Sequence, residues 1–94
     1  MQEAVEHQIS VWLRAYLADL LCVRMDEINV QAPFARLGLD SSAGIAMTGT
    51  LSEWLSQEVD PTVVYDYPSI AQLSAALARD EQVQRRLGAE KLQS

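Results

Sequence analysis

The chain has 94 residues, seven of them basic and thirteen acidic, for a net charge of −6. That length fits one domain and is too short for two. The acidic balance argues against a nucleic-acid surface, which needs a basic face, and the single cysteine, Cys22, excludes an internal disulfide framework.

Val5, Ile9, Trp12, Leu13, Tyr16, Leu17, Leu20 and Leu21 recur at three- and four-residue steps. This is the apolar stripe of an amphipathic helix, and it places helix I at about residues 3 to 22. Glu3, Glu6, His7, Arg14 and Asp19 fall mostly off the stripe, and His7, the sole histidine, reads as a solvated residue. Cys22 reads as a small buried hydrophobe at the helix end.

Residues 23 to 40 keep no period. Residues 24 to 28 have room for a short turn, and Pro33 discourages helix at Ala32. Ile28, Val30, Phe34, Leu37 and Leu39 offer apolar anchors by which this loop can lie across a bundle. Gly38 gives the backbone freedom just before Asp40.

Asp40 is a favourable N-cap for helix II, expected over about residues 41 to 57. Met47, Leu51 and Leu55, with Val59 beyond, form its core stripe, and Trp54 lies at the stripe's edge. Gly44 and Gly49 weaken the helix by about 1 kcal/mol each relative to alanine. They are either tolerated or leave room for a close approach. Ser41 stands at the helix mouth, where free N–H donors and a partial positive charge suit a phosphate. Local physics leaves two readings of Ser41 open, a spare cap residue and a phosphate attachment point.

Asp60-Pro61 opens a short helix III, with Asp60 as cap and Pro61 at the first helical position. Thr62, Val63 and Val64 are poor helix formers, so packing must hold this turn. Pro68 ends it. Ser69 caps helix IV with Gln72 three residues on, as in a capping box, and Ile70, Leu73, Ala76 and Leu77 form its stripe. From Arg79 the composition turns polar. The division expected is residues 1–79 as the domain and 80–94 as a polar tail or helix extension, with Val83 and Leu87 able to continue a helix and Gly88 able to stop it. The tail is also a candidate docking segment.

Two stretches together resemble a known family. Phe34-Ala35-Arg36-Leu37-Gly38-Leu39-Asp40-Ser41-Ser42 resembles the attachment motif of acyl carrier proteins. Pro61-Thr62-Val63-Val64-Tyr65-Asp66-Tyr67-Pro68-Ser69-Ile70 resembles the helix III to helix IV segment of polyketide-synthase-type carriers. The order and spacing match, and the likeness covers about residues 5 to 79. The expected fold is therefore all-α: a four-helix carrier bundle with three longer helices (I, II and IV), a short helix III and a long loop between helices I and II.

The resemblance implies that Ser41 takes 4′-phosphopantetheine from coenzyme A as a phosphodiester, through a separate phosphopantetheinyl transferase. The arm's thiol then holds an acyl group as a thioester, and the protein itself catalyses nothing. Asp40 serves as cap and as part of the motif. Ser42 departs from the family, which mostly has leucine there. Residues 43 to 50 carry no charge, whereas fatty-acid-type carriers have several acids along helix II. Partner docking is then expected on Ser42, Ile45, Ala46 and Gly49, with Glu53 the nearest acid. The run from Asp40-Ser41-Ser42 through Glu53-Trp54-Leu55 to Tyr67-Pro68 is most similar to carriers that work with fatty-acyl-AMP ligases. The implied partners are such an acyl-activating ligase and a downstream ketosynthase or acyl-modifying enzyme. A free-standing carrier and a domain of a larger synthase both fit.

Two alternatives stand beside this reading. One is a peptidyl carrier of a nonribosomal peptide synthetase, against which Asp40 speaks, because those carriers commonly have histidine there. The other is a non-covalent helical interaction module in which Ser41 is only a cap. Enzymatic readings fail on composition. One histidine and one cysteine make no usual metal cluster, no Ser–His–acid arrangement is credible, and there is no P-loop pattern. No apolar run approaches a membrane span and no early basic cluster precedes an apolar signal core. The expectation is a cytoplasmic monomer without membrane or nucleic-acid partners.

Overall fold

A computed structural model describes residues 2–93, with side chains through residue 88. Among the described residues six α-helices follow in order: α1 (Gln2–Leu21), α2 (Phe34–Leu37), α3 (Ser41–Leu55), α4 (Val63–Asp66), α5 (Ile70–Ala78) and α6 (Glu81–Gln93). A short 3₁₀ turn, Met25–Glu27, lies between α1 and α2. Among the described residues there is no strand, only an isolated antiparallel bridge between Pro33 and Ser69. Helices I, II, III and IV of the sequence reading are α1, α3, α4 and α5, so the helical bundle stands.

The periodic residues form the core. Val5, Ile9, Leu13 and Leu17 of α1 are buried, as are Met47, Leu51 and Leu55 of α3 and Ile70 and Leu73 of α5. α1 packs chiefly against α5 and also against α6. Trp54 lies at the edge of the α3 stripe and stacks on Trp12 at 5.4 Å and 12°, and Trp12 stacks in turn on Tyr16 at 5.4 Å. These rings make a three-layer aromatic seam between α1 and α3. His7 is exposed, as expected.

The long loop is ordered by its apolar anchors. Ile28, Phe34 and Leu39 are buried, and Val30 and Leu37 pack partly against the core. Arg14 Nη2 donates to the Met25 carbonyl at 3.0 Å, fixing the 3₁₀ turn to α1. The single helical turn of α2 lies beyond what periodicity reveals, because four residues span barely one turn. Gly38 closes it at φ 100°, the left-handed conformation that glycine adopts without a Cβ penalty.

Four expectations are corrected. Leu20 is 47% exposed rather than part of the stripe, and Cys22 is exposed rather than buried. Cys22 lies past the end of α1 at φ 58°, where the Val23 N–H donates to the Ala18 carbonyl at 3.0 Å, so the reversal of the chain turns its side chain outward. Helix III begins at Val63 rather than Pro61. Asp60 instead closes a turn, its carboxylate accepting the Thr62 N–H at 2.9 Å and its carbonyl the Val63 N–H at 3.0 Å. The Asp60 carboxylate, held by both the N–H and the hydroxyl of Thr62, closes a turn over the residues where a helix from Pro61 would begin. Finally, the polar C-terminal segment is a helix in its own right. It is separated from α5 by Arg79 and Asp80, it runs through Gly88, and it sets fully buried Val83 and Leu87 in the core. The Asp80 carboxylate starts it by accepting the Gln82 N–H at 2.8 Å, and the Arg86 guanidinium donates to the Trp54 carbonyl at 3.3 Å.

Two stability outcomes follow. Leu73→Ala and Leu87→Ala each lower the unfolding free energy by about 2–5 kcal/mol in urea titrations, while exposed Arg85→Ala changes it by less than about 0.5 kcal/mol. An unchanged midpoint for Leu87→Ala would place α6 outside the cooperative core. Cys22→Gly raises stability by about 0.5–1 kcal/mol, because relief of the left-handed strain outweighs glycine's chain entropy; a loss on the same titration would contradict the cap geometry.

Candidate functional site

Three segments meet at the start of α3. The first is the end of the long loop with α2, the second the first turn of α3, and the third α4 with the residues after it. Asp40 is extended, at φ −87° and ψ −179°, and its Oδ1 accepts the Ala43 N–H at 2.8 Å. Its carbonyl accepts the Gly44 N–H at 2.9 Å. Asp40 is thus the helix cap the sequence implies, an arrangement that contributes about 0.5–2 kcal/mol.

Ser41 occupies the first position of α3 and is exposed. Its Oγ accepts a hydrogen bond from the Tyr65 hydroxyl at 3.2 Å. Beside it opens a cleft of about 420 Å³ whose walls include Phe34, Ala35, Leu39, Gly44, Val64 and Tyr65. Gly44 lines this wall beside Val64, and a Cβ there would stand in ordinary van der Waals contact with Val64 Cγ2 at 3.6 Å. Ser42, Ile45, Ala46, Gly49 and Glu53 are all exposed. Their three- and four-residue spacing puts them on one outward face of α3. Ile45 is 55% exposed, and a Cβ added at Gly49 would meet nothing from the rest of the protein within 4 Å.

The structure therefore brings Asp40 and Ser41 to one point and spreads the other five down the helix from it. Sequence reasoning missed Tyr65 as a site residue. Tyr65 is visible as part of the Val63-Val64-Tyr65-Asp66 run, but its meeting with Ser41 depends on the tertiary path of the chain between them. Phe34 and Val64 likewise wall the cleft, a role that the sequence alone does not separate from core packing.

The turn that positions α4 rests on Asp60. Hydrogen bonds from the Thr62 N–H and the Thr62 hydroxyl, 2.9 Å each, hold its carboxyl below the usual aspartate range. Among the described residues no group of histidine, cysteine and carboxylate side chains is arranged to hold a metal ion, and no helix is long and apolar enough to cross a membrane.

The start of α3 thus presents an exposed hydroxyl on a capped helix end, with the Tyr65 hydroxyl across from it and an apolar cleft alongside. Residues 11–77 match the family model described as the phosphopantetheine attachment site. The acyl carrier protein TtuC of Teredinibacter turnerae is 34% identical over 70 residues, which cover 74% of this chain and 80% of that protein. A phenolphthiocerol/phthiocerol polyketide synthase component of Mycobacterium tuberculosis is 33% identical over 76 residues, 81% of this chain but 4% of that protein. Among solved structures, an acyl carrier protein from Anabaena with a variant phosphopantetheinylation-site sequence aligns with a TM-score of 0.77 at 34% identity, covering 84% of this chain and 90% of that one. A free-standing peptidyl carrier protein from Acinetobacter baumannii aligns with a TM-score of 0.74 at 28% identity, covering 79% and 92%.

The chain belongs to the phosphopantetheine attachment site family. It is a carrier protein: its cofactor is covalently attached 4′-phosphopantetheine, and it has no catalytic activity of its own.

The Asp60 turn gives a pH-dependent outcome. A carboxylate whose folded pKa is depressed adds stability above its unfolded value of about 3.9, and that contribution disappears as pH falls through the lower folded value. The Thr62 amide resonance should therefore titrate with a midpoint below about pH 3.9, and Asp60→Asn should remove the titration. A midpoint at or above the ordinary aspartate value would contradict the turn.

Proposed function

We propose that Ser41 is the residue that carries 4′-phosphopantetheine. The observation behind this reading is the position of Ser41: exposed, first in α3, beside the cleft, and within the Gly38-Leu39-Asp40-Ser41-Ser42 order. In loading, the Ser41 hydroxyl attacks the phosphorus of coenzyme A that bears the pantetheine. The Oγ–P bond forms and the P–O bond of the pyrophosphate breaks. The adenosine bisphosphate leaves with that electron pair, and the serine proton passes to a base on the transferase. Ser41 needs no base of its own within this chain, and the capped helix end with its free N–H groups favours the resulting anion by about 0.3–1 kcal/mol.

The cargo in this reading is an acyl group, most specifically a fatty acyl group, held as a thioester for polyketide or lipid-derived biosynthesis in the cytoplasm. The relatives named as an acyl carrier protein and a polyketide synthase support the acyl assignment. A phosphopantetheinyl transferase, a ligase of the fatty-acyl-AMP type and a ketosynthase-type enzyme are the partners. The exposed face of Ser42, Ile45, Ala46, Gly49 and Glu53 is the surface on which they dock. The likeness to a peptidyl carrier protein keeps an aminoacyl cargo as the second reading.

Intact mass after incubation with coenzyme A, magnesium and a broad-specificity transferase tests the assignment. One pantetheine adduct is expected on the wild-type chain and on Ser42→Ala, and none on Ser41→Ala. An adduct that persists in Ser41→Ala moves the site, and no adduct on the folded wild type leaves Ser41 as a helix-end residue only. Offering the loaded protein to fatty-acyl-AMP ligases and to aminoacyl-adenylating enzymes then separates the two cargoes.

A further inference from the structure

We infer that Tyr65 is a positioning residue of the attachment site, an inference that rests on Ser41 as the attachment residue. Tyr65 is 65% exposed, yet its hydroxyl reaches across from α4 to donate to Ser41 Oγ at 3.2 Å. An exposed pair of this kind adds little to folding. Its chemistry at the serine is more informative. With Tyr65 donating to a lone pair of Oγ, the proton of Ser41 is left to point away, toward an incoming base. The bond also favours one orientation of a side chain that would otherwise sample three rotamers.

The surroundings of the serine make Tyr65 the natural donor for the loaded state too. Phe34, Ala35, Leu39 and Val64 present no polar side-chain atoms to the cleft, and Asp40 presents a like charge. Among the described residues lining the cleft, Tyr65 is the one side-chain donor other than Ser41 itself. Once Oγ is esterified, its own proton is gone, and the Tyr65 hydroxyl is the side-chain O–H that remains to meet a phosphodiester oxygen. A hydrogen bond to an ionised acceptor is shorter and stronger than one to a neutral hydroxyl, whereas the 3.2 Å contact to Ser41 is longer than an ordinary hydroxyl pair. Tyr65 therefore holds the charged, loaded site more firmly than the empty serine. A neutral donor also stabilises the anion without adding a positive charge to a chain whose net charge is −6.

The position of α4 makes this possible. The Asp60 turn and the Tyr67 N–H bond to the Val63 carbonyl at 2.8 Å fix the single turn of α4 on which Tyr65 is carried. Tyr65→Phe keeps the ring and removes only the donor, and exposure of the ring makes a folding defect from that change negligible.

The test compares wild type, Tyr65→Phe and Tyr67→Phe. Transferase loading is measured as kcat and KM, and the loaded proteins are examined by ³¹P NMR. Tyr65→Phe should still form the adduct, with kcat lowered roughly two- to tenfold, the range of one neutral hydrogen bond, and KM little changed. Its phosphodiester resonance should shift from the wild-type position toward that of free phosphopantetheine and sharpen. Tyr67→Phe should match wild type in both respects. An adduct that forms with unchanged kcat and an unchanged ³¹P resonance in Tyr65→Phe overturns the inference alone. A change confined to KM assigns Tyr65 to transferase docking and also overturns it, as do equal effects in Tyr67→Phe. An adduct that survives Ser41→Ala overturns the attachment reading, and this inference with it.

Discussion

The Phe34 N–H donates to the Pro68 carbonyl at 2.7 Å, and a few residues away the Ala71 N–H donates to the Val30 carbonyl at 3.0 Å. These bonds lock the end of the long loop to the start of α5, and the isolated Pro33–Ser69 bridge marks the same seam. The geometry of the site follows from them. The loop cannot complete a helix through Pro33, so its N–H groups and carbonyls need partners elsewhere. The non-helical joint between α4 and α5 has backbone groups to spare, and it supplies them. That joint is short because Pro68 ends α4 and Ser69 at once caps α5, accepting the Gln72 N–H at 3.2 Å. With loop and joint tied together, α4 is held beside the first turn of α3, Phe34 is sealed beneath both, and the cleft lies above.

Much of this was legible from the residues. The stripes of α1, α3 and α5 repeat with a helical period because one face of each must be buried, and the buried residues are largely those the period selects. The Asp40 and Ser69 caps were readable because a short polar side chain before an apolar repeat has one favourable local use. The polar helix α6 was harder. Its apolar pair, Val83 and Leu87, is a single i, i+4 step too sparse to give a stripe, yet both are fully buried. Burial of a pair depends on whether the bundle leaves a gap to receive it, and the gap between α1, α3 and α5 is a property of the assembled fold. Cys22 shows the same limit. Apolar residues at helix ends are usually buried, but here the chain reverses at that position and the backbone at φ 58° turns the side chain outward.

The candidate site divides along the same line. Asp40 and Ser41 are adjacent in sequence, and their roles follow from one helix end. Tyr65 is 24 residues from Ser41. No periodicity couples the two. They meet because the Asp60 turn delays α4 to Val63, which fixes which residue of the run faces the serine. A helix begun at Pro61, as the Asp60-Pro61 capping signal implies, would offer Pro61 and Thr62 as its first turn and alter that register. The hydrogen bonds between Asp60 and Thr62 thus bear on the geometry at Ser41, through one turn of helix.

The face of α3 below Ser41 adds a second constraint of a different kind. From Ala43 to Ser52 the helix carries no charged side chain, and Glu53 is the first acid along it. Apart from Glu53, the charges that make up the net −6 lie off this stretch, so long-range attraction to a basic partner acts chiefly on the molecule as a whole and speeds encounter. On the proposal that partners dock on this face, selection falls to contacts that act only at short range. Ile45 is more than half exposed, and at Gly49 a partner can approach the helix backbone without meeting a side chain. Apolar contact and shape discriminate by steric fit, and a misplaced methylene in such a contact costs about 1–3 kcal/mol. For the docking face proposed above, fit rather than charge would then set which partners are accepted.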